Sequence, residues 1–492
     1  MSGEAMKTAG TPPRGGAAAG DPVLARAHDV AQNFLAALPE RPVDPRPVLA
    51  ALRDALGGPL PERGGDPCSV IDALAAAAEP GLIATAGPRY FGFVIGGSLP
   101  AAVAADWLTS VWDQNAGVFA TAPAASVVEE VTAGWLLELL GLPSGASVGF
   151  VTGGQMANFT CLAAARHEVL RRAGWNVEER GLQGAPPLRV IAGAEAHVTI
   201  ESSLRLLGLG GRTVLRVEAD DQGRILPAAL ARALAEGCGP TIVCAQAGNV
   251  DTGAFDPFQE IAPLARQAGA WLHVDGAFGL WAGASARLRH LLQGVDAADS
   301  WSTDAHKWLN VPYDSGIAIV AHPAPHRAAM TANAAYLVKS AGSARDPLDW
   351  TPEFSRRARG FPIYAALRVL GREGLAGMVE RCCAVARRMA GVLRGSPHAR
   401  VLNDVVLNQV LVGLTPPDGR DTGEFTQAVL ARVQRGGICW MGGTTRRQTA
   451  AIRISVSNWS TSDRDADRSV SALLDAIELE AAQAPTTAGA GD

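Results

Sequence analysis

Lysine is almost missing from this chain. Of 43 basic residues only Lys7, Lys307 and Lys339 are lysines, so arginine supplies nearly every positive charge. Arginine stays protonated and is no nucleophile, whereas a buried lysine can lose its proton and attack a carbonyl. Lys307, set between a histidine and a tryptophan in "SWSTDAHKWLNVPYDSG", therefore needs explaining, although a lone lysine is more often a solvated surface group. Other scarcities exclude functions. The seven scattered cysteines form no C-x-x-C pair, which argues against a disulfide framework or a zinc site and fits a reducing cytoplasm. No Walker loop or G-x-G-x-x-G fingerprint occurs, which counts against a nucleotide and against a nicotinamide dehydrogenase. A net charge of −5 offers no attraction for nucleic acid. No apolar run of membrane length escapes charges or turn residues, and the first residues lack the core of a signal peptide.

What is present is enzyme-sized: 492 residues, 48% hydrophobic and 18% charged. The segments "MSGEAMKTAGTPPRGGAAAGDP" and "AAQAPTTAGAGD" read as disordered tails. Residues 23–57 and 101–142 carry helical spacing. Then "SVGFVTGG", "LRVIAGAEAH", "RTVLRVEAD", "TIVCAQAGNV" and "WLHVDGAFG" are short apolar runs ending in small or polar residues, most of them separated by helical stretches. Buried strands alternating with helices predict an α/β fold with a mostly parallel sheet, whose ligands sit beyond the carboxyl ends of the strands. "SGIAIVAHP" continues the sheet. Residues 331–360 are irregular, and Ala341–Trp350 ("AGSARDPLDW") is expected to be a mobile loop. From Phe361 a long helix, the strands "NQVLVGLT" and "AAIRISVSN" and a closing helix predict a smaller α+β domain. The expected divisions are residues 1–95, 96–360 and 361–492.

Four features fall at predicted strand ends. Gly153 and Gly154, followed by Gln155, lie at a strand-to-helix turn where exposed N–H groups favour a phosphate, although a glycine pair is usually just a turn. His197 can stack on a planar ring, although a lone histidine there is more often structural. Asp275 can hold a proton on a heterocyclic nitrogen. His306 and Lys307 follow, Lys307 lying 32 residues later. One ligand with a phosphate, a flat ring, a basic ring nitrogen and an electrophilic carbonyl satisfies all four: pyridoxal 5′-phosphate.

The chain resembles the group II pyridoxal-phosphate-dependent decarboxylases, which include glutamate and aromatic L-amino acid decarboxylases. The likeness runs from "PRYFGF" to "IRISVSN", and "HVDGAFG" with "DAHKWL" is its most specific part. It implies the aspartate-aminotransferase-type fold, with a seven-stranded mixed sheet, and a homodimer with shared active sites, the residues before about 95 packing on the partner. It implies Lys307 as the lysine bonded to the cofactor, Asp275 at the ring nitrogen, His197 on the ring, and Gly153, Gly154, Gln155 and His306 around the phosphate. Arg453, Tyr90 and Phe91 match positions that meet the substrate. The implied reaction converts an L-amino acid to carbon dioxide and an amine; an aldehyde-forming decarboxylase, an aminotransferase or a silent binding protein on the same fold are the alternatives. Three positions depart from the pattern. Asn249 or Val250 stands where aromatic decarboxylases carry a threonine, Gly117 replaces a common aromatic residue, and "ARDPLDW" has Pro347 and Leu348 but no tyrosine. His197, Tyr336 or water is then left as the proton donor. Arg446 and Arg447 read as a surface salt-bridge set.

Overall fold

The computed structural model describes residues 21–44, 48–331 and 344–483. Most of both expected tails lies outside them. The chain divides into two compact units, residues 1–84 and 85–492. The first contains helices Pro22–Ala37, Leu49–Leu56 and Pro67–Ala78. Two of them begin with proline behind an aspartate cap: Asp21 accepts from the Val23 N–H and Asp66 from the Ser69 N–H. None of the three fully buries a residue, and Leu24, Leu49, Leu56, Val70 and Leu74 stay exposed.

The second unit is built on a seven-stranded sheet. Its strands are β1 (Ser147–Val151), β2 (Arg189–Gly193), β3 (Val214–Val217), β4 (Thr241–Gln246), β5 (Trp271–Asp275), β6 (Ser300–Asp304) and β7 (Gly316–Val320), in the order β1-β7-β6-β5-β4-β2-β3. Neighbours from β6 to β3 run parallel, and only β7 opposes the strands beside it. The expected large, mixed, mostly parallel sheet is thus present. Strands β1, β4, β5, β6 and β7 are buried at every residue; β1, β4, β5 and β7 accordingly read as mainly apolar runs, whereas β6 buries the polar side chains of Ser300, Ser302, Thr303 and Asp304. Trp271, Trp301 and Trp308 fill the layers around them with no exposed surface. The parallel strands deliver the turns after Val151, Gly193, Gln246, Asp275 and Asp304 to one edge of the sheet.

The smaller α+β part has the antiparallel sheet β10-β11-β9-β8, made of β8 (Ala399–Val401), β9 (Gln409–Leu414), β10 (Gly442–Arg446) and β11 (Thr449–Ser455). Helices Thr422–Gly436 and Asp463–Ala481 accompany it, the latter starting in a capping box of Ser462 and Asp465. The long helix Gly360–Leu393 breaks at Gly371, whose φ of 59° is left-handed. Among the described residues no helix is long and apolar enough to cross a membrane.

The described part of the expected mobile stretch is packed. Tyr336, Lys339 and residues 341–343 lie outside the described ones, but Pro347–Trp350 forms a short 3-10 helix with all four residues buried. Backbone and arginine contacts hold it: the Leu348 N–H donates to the Gly117 carbonyl at 2.9 Å, and the Arg345 guanidinium donates to the Val148 carbonyl of β1. The small, charged composition hides this packing, because the anchors are distant in sequence.

Candidate active site

Asp275 closes β5 and is 7% exposed. One carboxylate oxygen accepts from the Ala277 N–H at 3.1 Å, the other from the Asn158 side-chain amide, also at 3.1 Å. Asn158 is held in turn: its Oδ1 accepts from His273 at 2.9 Å and from the Ser302 hydroxyl at 2.6 Å. Burial pushes the His273 imidazole down to about 4, so it stays neutral, with Nε2–H donating to Asn158 and Nδ1 accepting from the Ser300 hydroxyl at 3.0 Å. The carboxylate is buried and oriented, and no basic residue among the described ones is directly bonded to it. That suits a group meant to hold a proton on a ligand.

His197 caps the helix Val198–Leu206. Its Nδ1 accepts from the Thr199 hydroxyl at 2.8 Å and, at 3.4 Å, from the Thr199 N–H, which leaves the proton on Nε2. Burial lowers its affinity for a second proton, while Asp275 acts in the opposite sense.

Lys307 follows β6 by one turn, and its Nζ lies 3.0 Å from Asp304 Oδ2. His306 Nε2 lies 3.4 Å from Asp304 Oδ1. Its ring stacks on Tyr313 with centroids 4.3 Å apart, and burial again favours the neutral imidazole. The turn Gly153–Gly154 opens the helix Gly154–Arg172 directly over this group. A Cβ on Gly154 would come within 2.7 Å of Asp304 Oδ2, so only glycine lets the helix N-terminus approach the carboxylate so closely. Gln155 is exposed and its amide donates to the Ser202 hydroxyl at 3.3 Å.

The substrate candidates lie on the small sheet and beside it. Arg453 on β11 meets Asp251 at 3.3 Å, and its buried Nε has no acceptor among the described residues. Tyr90 is buried and stacks on Trp440 with centroids 5.0 Å apart, and Phe91 is 1% exposed within the main core. Arg446 is no surface residue. It grips Glu195, two residues before His197, with two bonds of 2.9 Å, and Arg447 adds a third at 3.3 Å. Asn249 is committed as well: it donates to Glu195 at 3.4 Å and accepts from the N–H groups of Asp251 and Thr252. At Gly117 a Cβ would meet the Phe354 carbonyl at 2.6 Å, which explains the missing side chain.

Four residues of this cluster escape the reading of the sequence: Asn158, His273, Asp304 and Glu195. The signal for Asn158 is a poor helix former one turn inside a helix. His273 and Asp304 stand in plain view within "HVDGAFG" and "DAHKWL".

The donor set fits pyridoxal 5′-phosphate. An amine, a dry carboxylate, an imidazole face and a glycine-lined helix start stand together, and the buried Asp304 Oδ1 accepts no hydrogen bond from the described residues. Residues 59–414 match the model of the pyridoxal-dependent decarboxylase conserved domain. An aromatic-L-amino-acid decarboxylase of Bacillus atrophaeus is 26% identical over 84% of this chain and 86% of its own length. A 4-hydroxyphenylacetaldehyde synthase of Rhodiola rosea is 27% identical over 89% and 91%. The crystal structure of Oryza sativa TDC with PLP and tryptamine superposes with a TM-score of 0.87 at 24% identity, covering 93% of this chain and 97% of that one.

Proposed function

This chain belongs to the pyridoxal-dependent decarboxylase family, and from that premise we propose how its own residues carry out the reaction. It is a carboxy-lyase that uses pyridoxal 5′-phosphate on an amino acid. The observation that carries the residue assignment is the convergence of Lys307, Asp275 and His197 on one edge of the sheet, from three separate strand ends.

When bound, the cofactor supplies a protonated pyridine ring that draws away the electron pair released as the Cα–carboxylate bond breaks. Asp275 holds the proton at the ring nitrogen, with Asn158 and the Ala277 N–H keeping its oxygens in place. His197 offers a neutral ring face, fixed by Thr199. Lys307 would hold the cofactor through Nζ, the position that a substrate amine would take over. Gly153, Gly154, Gln155 and His306 take the phosphate. Arg453 receives a substrate carboxylate, and Tyr90 and Phe91 form the wall behind it. The protein's contribution is orientation and dryness: the scissile bond must stand across the ring plane, and water must be kept from Cα.

The substrate is an L-amino acid, and carbon dioxide and an amine are the main products. A minor flux to aldehyde is favoured by the absence of a tyrosine in "ARDPLDW" and by the aldehyde synthase among the relatives. Purified protein supplied with single L-amino acids, with carbon dioxide, amine and aldehyde measured together, tests the reading. Exchange of amino groups with no carbon dioxide released would defeat the decarboxylase reading.

The active unit is a homodimer in this reading. Exposed Leu24, Leu49, Leu56, Val70 and Leu74 on the first three helices support it, because helices that expose apolar side chains and fully bury none need an apolar partner. The segment up to about residue 95 then packs on the second copy. The mass measured by light scattering distinguishes dimer from monomer. The seven cysteines, all unpaired, suit the reducing cytoplasm.

A further inference from the structure

Asp304 has no task in the reaction above, yet it stands in the middle of the machinery. Its side chain is 1% exposed. Oδ2 pairs with Lys307 at 3.0 Å, while Oδ1 accepts no hydrogen bond from the described residues and has His306 Nε2 at 3.4 Å. The carboxylate lies against the first turn of the helix Gly154–Arg172: built Cβ atoms on Gly154 and Gly153 would fall 2.7 Å and 3.6 Å from its oxygens. Free N–H groups and a helix dipole make such a turn an anion site. Asp304 lies beside that turn, with Lys307 paired to its Oδ2 at 3.0 Å.

Loading disturbs both arrangements. Once Lys307 is engaged by the cofactor, Asp304 loses the only cation that the described residues place within 3.4 Å. The other groups facing it cannot replace that charge. His306 and His197 are held toward neutrality by burial, Tyr313 is a phenol, and the first helical turn carries no ionisable residue. Asp314 acts on His306, and Asp275 and Arg453 act on His197 in opposite senses. A phosphate monoester, close to a dianion at neutral pH, then has to enter the same cradle. Two acids a few ångströms apart in a dry site do not both stay ionised.

We propose that Asp304 binds the cofactor's phosphate as a neutral acid, donating from its carboxyl oxygen to a phosphate oxygen, so that the two groups hold one proton between them. This rests on the assignment of Gly153, Gly154 and His306 to the phosphate. Asp304 is a cofactor-binding residue whose charge opposes loading until it takes up a proton. Loading therefore draws a proton from solvent and weakens as pH rises. One linked proton changes affinity by at most about tenfold per pH unit.

The test is cofactor affinity, not turnover. Dissociation constants for pyridoxal 5′-phosphate and for phosphate-free pyridoxal are measured by tryptophan fluorescence at a series of pH values. The comparison is wild type against Asp304→Asn, repeated with Lys307→Ala in both backgrounds so that the lysine's own titration drops out. Asp304→Asn should flatten the pH dependence by close to one proton and bind the phosphate form about tenfold or more tightly at the alkaline end. Pyridoxal should show no such difference. Asp304→Ser should flatten the profile in the same way and covers the case in which the amide variant misfolds. Parallel profiles for wild type and both variants, or weaker binding by the variants at every pH, would overturn the proposal. Binding that ignores the phosphate, with pyridoxal as tight as its phosphate ester, would overturn the assignment of the phosphate site itself.

Discussion

The Asn158 amide donates to Asp275 at 3.1 Å from one turn inside the helix that begins at Gly154. That bond ends a relay from the Trp271 indole to Ser300, His273, Asn158 and finally the carboxylate. Because His273 is neutral, the relay orients Asp275 without bringing a second charge beside it. A carboxylate that must hold a pyridinium proton needs this combination of fixed direction and undiminished charge. Asn158→Leu keeps the volume close and removes the donor. A hydrogen bond to a charged group contributes about 1.5–3 kcal/mol, so kcat should fall by about ten- to a hundredfold. Cofactor content, read by absorbance, should stay near one per chain. An unchanged kcat would show that Asp275 needs no such support.

Lys307→Ala should bind cofactor reversibly and lose it on dialysis after borohydride treatment, whereas Lys339→Ala should keep it covalently fixed. Mass spectrometry of the treated proteins separates the two cases. Identical behaviour of both variants would remove Lys307 from its role. Asp275→Asn should retain cofactor and lose turnover by about a thousandfold, as for other buried electrostatic groups at a reacting centre.

Much of this site is legible in the amino-acid sequence. Lys307, Asp275, His197 and the Gly153–Gly154 turn are close to strand ends, and a parallel sheet brings strand ends together whatever the details of packing. The supporting residues are not legible, for physical reasons. Asn158 acts from a helix interior, where periodicity says only that it faces inward. Glu195 meets Arg446 and Arg447 across about 250 residues of sequence, so the two arginines look like a surface pair. The antiparallel β7 and the added strands β8 and β10 carry no signal that separates them from their parallel or unpaired alternatives. Pro347–Trp350 has loop composition but is buried by partners far away in the chain.

Arg453 and Asp251 form a pair at 3.3 Å, and the assignment of Arg453 to the substrate carboxylate requires the substrate to open it. Arg453→Lys loses the two-pronged fork and should raise KM about ten- to a hundredfold, with cofactor affinity unchanged. Asp251→Asn removes the competing carboxylate and should lower KM for the same substrate. A KM that rises in both variants would mean that the pair acts as a structural tie.

His326 offers a pH-dependent stability test away from the site. It is fully buried between the Ser147 hydroxyl at 2.9 Å and the Trp350 carbonyl at 3.0 Å, and burial pushes its imidazole down to about 3. An unfolded histidine titrates near 6.5, so below that pH the unfolded chain binds the extra proton and the folded one does not. The neutral form's stability is present above about 6.5 and lost progressively as pH falls toward 3. At pH 5 the loss is about 2 kcal/mol. His326→Gln does not titrate, so its stability deficit against wild type should shrink by about that amount between pH 7 and pH 5. Urea unfolding at both pH values measures it, and a constant gap would mean the folded imidazole takes up its proton as readily as the unfolded one.

The reaction has to return a proton to Cα, and residues 344–350 supply no tyrosine for it. Pro347 and Leu348 occupy the stretch, both buried, with Leu348 bonded to Gly117 and Trp350 flanked by the guanidinium groups of Arg327 and Arg345. A packed segment of this kind cannot swing a side chain over the cofactor without breaking those contacts. The candidates for the donor are then His197, Tyr336 and water, and return of the proton should be less complete than with a dedicated phenol. Carbon dioxide should then exceed amine by a measurable margin over many turnovers, with aldehyde or aminated cofactor making up the difference. Pro347→Tyr forces a ring into a filled space and should cost about 1–3 kcal/mol, lowering Tm without closing the gap between carbon dioxide and amine. Strict equality of carbon dioxide and amine in the wild-type protein would show that another residue has taken over the tyrosine's work completely. Phenylalanine at Tyr336 and glutamine at His197, each scored by the same product ratio, would then identify it.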